Sequence, residues 1–166
     1  MRKQIILMMV AIVLVAVSSV ANVSAGPKAP VATFTLSGYQ EVPSISTTGH
    51  GTFTATLGPG GTSINYELAY DDMEGAVSVA HIHFGQPGVN GGILAYLCGG
   101  GNKPVCPQSG TVSGSIVDAD IQPILNQGVD GGMFTDLFNA ILAGTAYANV
   151  HTDLFPNGAI RGRLIK

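Results

Sequence analysis

Basic residues are scarce in this sequence, and their scarcity narrows the range of partners. The 166 residues include seven lysines and arginines against ten aspartates and glutamates, and charged residues make up only 10% of the chain. Domains that bind nucleic acid carry clustered positive charge, so we expect no nucleic-acid partner. Three basic residues crowd the C-terminus (Arg161, Arg163 and Lys166), too few for a polybasic patch that binds membranes.

A recognisable set of catalytic nucleophiles is also lacking. No serine, cysteine or pair of carboxylates stands in a nucleophilic arrangement, so the sequence does not favour an enzyme. The 23 glycines argue against a mostly helical fold, whereas 46% hydrophobic residues suffice for a buried core. The length suits a single domain.

The N-terminus has the pattern of a secretory signal peptide. Arg2 and Lys3 precede an uncharged apolar run at residues 5–17, and Val23-Ser24-Ala25 resembles a signal cleavage site. The apolar run is shorter than the roughly 20 residues that a membrane span requires. We therefore interpret residues 1–25 as a cleaved signal peptide, with an uncleaved membrane anchor as the alternative.

Cleavage would leave a flexible entry segment at residues 26–32 and a domain at residues 33–166. Two of the seven basic residues would be lost and none of the ten acidic ones, so the formal charge would be 5 − 10 = −5. We expect a secreted or extracytoplasmic protein, periplasmic or on the cell surface in a bacterium, with no membrane span after cleavage.

Only two cysteines are present, Cys98 and Cys106, and a secreted chain meets an oxidising compartment. The glycines and proline between them suit a turn, so we predict a disulfide across this loop. A thiolate metal site is the weaker alternative, because the spacing is not C-x2-C and no histidine lies nearby in the sequence.

Short alternating segments separated by turn residues recur along the domain, which is typical of an all-β sandwich or barrel. After a first strand that contains Phe34 and Leu36, we predict strands at residues 52–57, 64–70, 77–84, 93–97, 111–117, 146–151 and 159–165. Between residues 118 and 144 the period becomes helical. The apolar positions of this predicted helix are Phe134, Leu137, Phe138, Ile141 and Leu142, with Gly144 as its C-cap and a shorter helical turn from Asp118.

Two histidines one residue apart, His81 and His83, lie in the predicted strand 77–84. Side chains alternate faces along a strand, so these imidazoles share a face, about 6.5 Å apart at the backbone, while Ile82 points the other way. His151 lies in the strand 146–151, where Val150 is the inward neighbour. The three imidazoles are therefore candidates to meet on one outer face.

Four motifs carry a resemblance to a known family. They are residues 36–43 (LSGYQEVP), 80–88 (AHIHFG followed by PG), 149–152 (NVHT) and 155–162 (FPNG followed by IRG). In this order they cover most of the chain, and the chain resembles the CHRD domain family, named from chordin and common in secreted bacterial proteins. The resemblance implies a Greek-key β-sandwich similar to copper/zinc superoxide dismutase, with one or two short helices between late strands.

The resemblance implies little about activity, because the family name describes a module. The chain departs from the usual family pattern at Ser44, Ala159 and Arg163, where proline, glutamate and glutamine are common. The change at residue 159 removes a carboxylate beside Arg161. Glu41 belongs to the first motif, and we expect it to cap a neighbouring backbone segment.

The histidines have two interpretations. Three imidazoles with an open position suit a copper or zinc ion at His81, His83 and His151. In that case Asn149 and Asp153 would accept hydrogen bonds from the ring N–H groups. Alternatively, the histidines bond to loop carbonyls and tie down glycine-rich segments.

Other polar residues near these motifs have simpler roles. Arg161 either binds an anion near the histidines or bonds the carbonyls of residues 149–155 and pins the last strand. His50 lies outside the family motifs, and we expect it on the surface. The acidic residues at 71, 72 and 74 are expected to form a solvated turn rather than a calcium site.

Three functions remain open. The first is a secreted, non-catalytic CHRD-type binding module that holds copper or zinc. The second is a structural or extracellular protein-interaction domain without a metal, whose exposed loops, such as residues 85–92, recognise a protein. The third is a copper redox enzyme of the superoxide dismutase type, although four histidines cannot supply its full copper and zinc sites.

Overall fold

The computed structural model describes residues 30–165, with side chains from Phe34 onwards. The predicted signal peptide and most of the predicted entry segment lie outside the described residues. Within the described part, no helix is long and apolar enough to cross a membrane. The regular elements are β1 (Pro30–Ser37), β2 (His50–Leu57), β3 (Ile64–Asp71), β4 (Val77–Phe84), β5 (Gly92–Cys98), β6 (Gly110–Ile116), α1 (Phe134–Leu142), β7 (Ala146–Thr152) and β8 (Ile160–Leu164).

The eight strands form one nearly closed antiparallel sheet in the order β5-β4-β7-β8-β1-β2-β3-β6. The prediction of an all-β fold is confirmed. Between β8 and β1 the register contains a single residue pair, Ser37 with Arg161, so this is the narrowest join in the sheet. It divides the sheet into a half with β5, β4, β7 and β8 and a half with β1, β2, β3 and β6.

Buried and exposed residues alternate along the strands, and the buried ones form a core between the two halves of the sheet. On β3, Ile64, Tyr66, Leu68 and Tyr70 are buried and the residues between them are largely exposed, as expected for a strand with one wet face. On β7, in contrast, all seven residues are buried. The outer face of the β4–β7 pair is therefore covered by loops, and this covered face holds the histidines.

A disulfide and a buried hydrogen bond hold the free ends of the sheet together. Cys98 on β5 is bonded to Cys106, which precedes β6, and this confirms the predicted disulfide. The hydroxyl of Tyr66 on β3 donates to the carbonyl of Leu97 on β5 over 2.7 Å. Because β5 and β3 belong to different halves, this bond ties the halves together from the inside.

The one α-helix in the described residues begins and ends at the first and last of the predicted apolar positions. Its buried side chains are Phe134, Leu137, Ala140 and Ile141, and Phe138 packs partly against the core. Leu142 was expected on the apolar face but is exposed. Gly144 follows the helix with φ +65°, the left-handed conformation that suits a glycine after a helix end. The expected turn from Asp118 is a 3-10 turn at Asp118–Asp120.

Candidate metal centre

Two neighbouring antiparallel strands, β4 and β7, position the three histidines. His81 pairs with Asn149 across the strands, so His151, two residues further along β7, is its diagonal neighbour on the same face. On the opposite face, Ile82 and Val150 are fully buried in the core. The apolar positions thus anchor both strands and leave the histidines pointing away from the core, as predicted from the alternation.

The three imidazoles form a compact cluster. The ring centre of His81 lies 4.4 Å from that of His83 and 4.4 Å from that of His151, while those of His83 and His151 are 6.2 Å apart. One ring nitrogen from each of the three lies within 4.8 Å of the other two. Within the described chain, no carboxylate or thiolate belongs to this group.

Backbone carbonyls fix the orientation of two of the rings. His83 Nδ1 lies 2.8 Å from the carbonyl oxygen of Gly91, and His151 Nδ1 lies 3.0 Å from that of Pro156. A carbonyl only accepts, so each Nδ1 carries the proton and each Nε2 keeps a free lone pair. This assignment of the tautomer rests on the hydrogen-bond partners.

Three buried ring nitrogens lack a hydrogen-bond partner among the described residues. They are His81 Nδ1, His83 Nε2 and His151 Nε2. Leaving a buried polar atom unpaired costs free energy, and most such atoms in folded proteins have a partner. Each ring of a cluster whose ring nitrogens approach within 4.8 Å thus has an unpaired nitrogen, which a bound cation would satisfy, so the residues fit a metal ion.

Loops and aromatic rings enclose the cluster. His81 is 4% exposed and His151 is 7% exposed, and all three imidazoles line a cavity of about 570 Å³ beneath the loops. The ring of Tyr147 stacks on His83 with centres 4.7 Å apart, and Tyr96 meets His81 edge-on at 5.7 Å. The rings therefore have little freedom to rotate away from one another.

Burial makes the imidazoles hard to protonate. It is the largest cause that lowers the pKa of His81 to about 2 and the pKa of His83 to about 4. Burial likewise lowers the pKa of His151, and the positive charge of Arg161 acts in the same direction. The three rings are consequently neutral at physiological pH, which is the form that binds a metal.

A buried ion pair fixes the loop that covers the cluster, the 85–91 loop. Arg161 and Glu41 are 5% and 4% exposed, and Nη2 of Arg161 lies 3.0 Å from Oε2 of Glu41. The same guanidinium donates to the side-chain oxygen of Asn90 over 2.6 Å and to the carbonyl of Val89 over 3.3 Å. It also lies over the ring of Tyr147, 4.1 Å from its centre.

Glu41 is held in this network from both sides. Burial raises its pKa, and the nearby Arg161 opposes that rise. Its Oε1 accepts a hydrogen bond of 2.6 Å from the amide of Asn149. The charge of Arg161 is thus paired locally with Glu41.

A comparison with protein families matches the model of the CHRD domain to residues 32–164. The chain belongs to the CHRD domain family. Searches of curated proteins and of solved structures return no significant match. The likeness of the CHRD domain to copper/zinc superoxide dismutase therefore stays a prediction. An intramolecular disulfide and a CHRD domain both fit an extracellular location.

The predicted acceptors for the histidine rings have other partners in this CHRD domain. Asn149 donates to Glu41 and to the carbonyl of Ile160, and Asp153 accepts from the backbone N–H of Ala76. The Nδ1 of His151 bonds to the carbonyl of Pro156 instead, and its Nε2 has no partner among the described residues. The acceptors for the rings of His83 and His151 are backbone carbonyls, which no sequence motif indicates.

Arg161 differs from one predicted role, and Glu41 has a partner that was not predicted. Arg161 was expected either to bind an anion or to bond the carbonyls of residues 149–155; its backbone contact is with the 85–91 loop, because β8 presents it on the covered face beside Tyr147. Glu41 was expected to cap a neighbouring backbone segment; it accepts a backbone hydrogen bond from Val42 and also pairs with Arg161. The family motifs contained both residues, and their opposite charges were the available signal.

The remaining polar residues lie where they were expected. His50 is exposed, with Nδ1 3.2 Å from the carbonyl of Thr48, and it is not part of the histidine cluster. In the acidic turn, Glu74 accepts from the backbone N–H of Thr48 and Asp71 accepts from that of Asp72. These bonds stabilise the turn itself.

Proposed function

We propose that this protein is a secreted, non-catalytic binding module of the CHRD family that holds one copper or zinc ion at His81, His83 and His151. The observation that carries the proposal is the cluster of His81, His83 and His151. One ring nitrogen of each lies within 4.8 Å of the others, and each ring has a buried nitrogen without a hydrogen-bond partner among the described residues. Among the described residues, these three histidines are the one group of side chains found that could hold a metal ion.

The ligand set suits these metals in number and type. Zinc–imidazole bonds are about 2.0–2.1 Å, so nitrogens on one ion stand about 3.5 Å apart and the cluster must contract by about 1 Å. Imidazole suits both zinc and copper, and copper binds more tightly at equal availability. The carbonyls of Gly91 and Pro156, which fix two of the rings, supply the outer hydrogen bonds that metal-binding histidines usually make.

A structural role without metal is the second candidate, and the same two carbonyl bonds favour it. His83 ties down the 85–91 loop and His151 ties down the turn that holds Pro156. This alternative does not account for His81, which is buried and whose Nδ1 has no hydrogen-bond partner among the described residues. We therefore prefer the metal-binding function.

Calorimetry separates the two candidates. One equivalent of Cu(II) or Zn(II) is titrated into the protein, prepared without a histidine tag, and EPR counts the nitrogens on bound copper. We expect a sub-micromolar dissociation constant that is lost in His81→Ala and His151→Ala and retained in the control His50→Ala. Binding weaker than micromolar, or equal binding in all variants, would leave the structural role.

Two further measurements address location and activity. Mass spectrometry of the protein recovered outside the cytoplasm should show a chain that begins at Gly26; an intact N-terminus would favour the membrane anchor. The copper-loaded protein should consume superoxide no faster than the same concentration of copper in buffer. A faster rate would favour the redox enzyme over the binding module.

A further inference from the structure

The oxidation state of the ion follows from the charges around the cluster. This inference rests on the proposed function, since it concerns the ion that the three histidines hold. All three donors are neutral imidazoles, and no carboxylate or thiolate in the described chain joins them. The nearest buried carboxylate, Glu41, is already paired with Arg161. An ion in this cluster therefore keeps its full charge.

Burial penalises that charge steeply. The cost of moving an ion out of water grows with the square of its charge, so a dication costs about four times as much as a monocation of equal radius. Burial therefore disfavours a dication more than a monocation.

The number of available ligands acts in the same direction. Zinc in proteins takes four ligands, and Cu(II) prefers a tetragonal set of four or more. Here the described residues supply three imidazole donors and no further side-chain donor. Three nitrogens match the low coordination number of Cu(I), whereas Zn(II) and Cu(II) would each need a further ligand from the cavity.

We propose that the cluster of His81, His83 and His151 is a Cu(I) site, which binds the cuprous ion in preference to Cu(II) and Zn(II). The ion enters as Cu(I), so binding involves no redox step. The rings of Tyr96 and Tyr147 pack against His81 and His83 and hold these two imidazoles in place. The site thus selects a charge and a coordination number.

Anaerobic competition against a chromogenic Cu(I) chelator tests the proposal, with parallel titrations of Cu(II) and Zn(II) against chelators for each. We expect the dissociation constant for Cu(I) to be at least 100-fold lower than those for Cu(II) and Zn(II). X-ray absorption of the loaded protein should show Cu(I) with three nitrogen neighbours. Tighter binding of Cu(II) or Zn(II) would overturn the Cu(I) proposal and leave the proposed function intact, whereas no binding of any ion would overturn both.

Variants locate the ion. Cu(I) also binds thioethers, so Met73→Leu serves as a matched control beside His81→Ala and His50→Ala. We expect only His81→Ala to weaken Cu(I) binding. Loss of binding in Met73→Leu, or sulfur neighbours in the absorption spectrum, would place the ion at a methionine and overturn the assignment. Because the absorption spectrum uses the unaltered protein, this test stands even if His81→Ala fails to fold.

Discussion

Acid unfolding tests the burial of the histidines directly. Burial lowers the pKa of His81 to about 2 and that of His83 to about 4, against about 6.5 for a histidine in an unfolded chain. Between these values the unfolded chain binds more protons than the folded protein. The free energy of unfolding is therefore fully retained above about pH 6.5 and decreases as the pH falls below it.

The size of this loss can be worked out for one ring. A histidine whose folded pKa is about 4 or lower contributes a loss of about 1.6 kcal/mol between pH 6.5 and pH 5. We expect the substitution His81→Gln to remove the part of this loss that His81 contributes. The drop in unfolding free energy over this range should thus be about 1.6 kcal/mol smaller in the variant than in the unaltered protein.

Urea unfolding followed by circular dichroism, in buffer with a chelator, measures the drop at both pH values. Each protein is compared with itself, so the variant's own stability at pH 6.5 does not affect the result. His50→Gln is the matched control, because this imidazole is exposed and outside the cluster, and it should keep the drop of the unaltered protein. Equal drops in His81→Gln and the unaltered protein would refute the reasoning.

Three further substitutions test the other contacts that hold this fold. Arg161→Met leaves Glu41 buried without its partner and should lower the free energy of unfolding by about 3–5 kcal/mol in urea, with less loss when Glu41→Gln is added. Cys98→Ser opens a disulfide between residues eight apart and should cost about 2–3 kcal/mol; a reductant should destabilise the unaltered protein equally and the variant not at all. Tyr66→Phe removes the bond between the sheet halves and should cost about 1–2 kcal/mol by the same assay.

For each of these three substitutions, one experimental result would contradict the contact on which the expected loss of stability depends. Arg163→Met, on the same strand and exposed, is the control for Arg161→Met, and equal effects would show that the buried pair contributes little. A Cys98→Ser protein that still loses stability in reductant would point to a cause other than the disulfide. If Tyr66→Phe is as stable as the unaltered protein, the two halves do not depend on that hydroxyl.

Local periodicity made the strands and the helix predictable. The bounds of β4 and α1 match the predicted ranges, because each is determined by alternation or a 3.6-residue period within its own segment. The shared face of His81 and His83 follows from the same alternation. For His151 to meet His81 and His83 on that face, β4 and β7 had to be neighbours in the sheet. The family resemblance suggested this arrangement.

Contacts between distant segments were not predictable from these patterns. Asn149 bonds to Glu41 across 108 residues, and Arg161 bonds to Asn90 across 71 residues. Which charges meet depends on the order of strands in the sheet, and no local period encodes that order. The carbonyls that orient His83 and His151 belong to the backbone, which every residue shares, so composition gave no indication of them.

The position of β8 bears on the order in which the protein assembles. This last strand lies between β7 and β1, and it carries Arg161, which fixes the 85–91 loop. Its pairing with β1 closes the longest chain segment in the sheet, whereas its pairing with β7 is local. A nascent chain that ends before Ile160 already contains all three histidines but lacks Arg161, the side chain that fixes the 85–91 loop beside them.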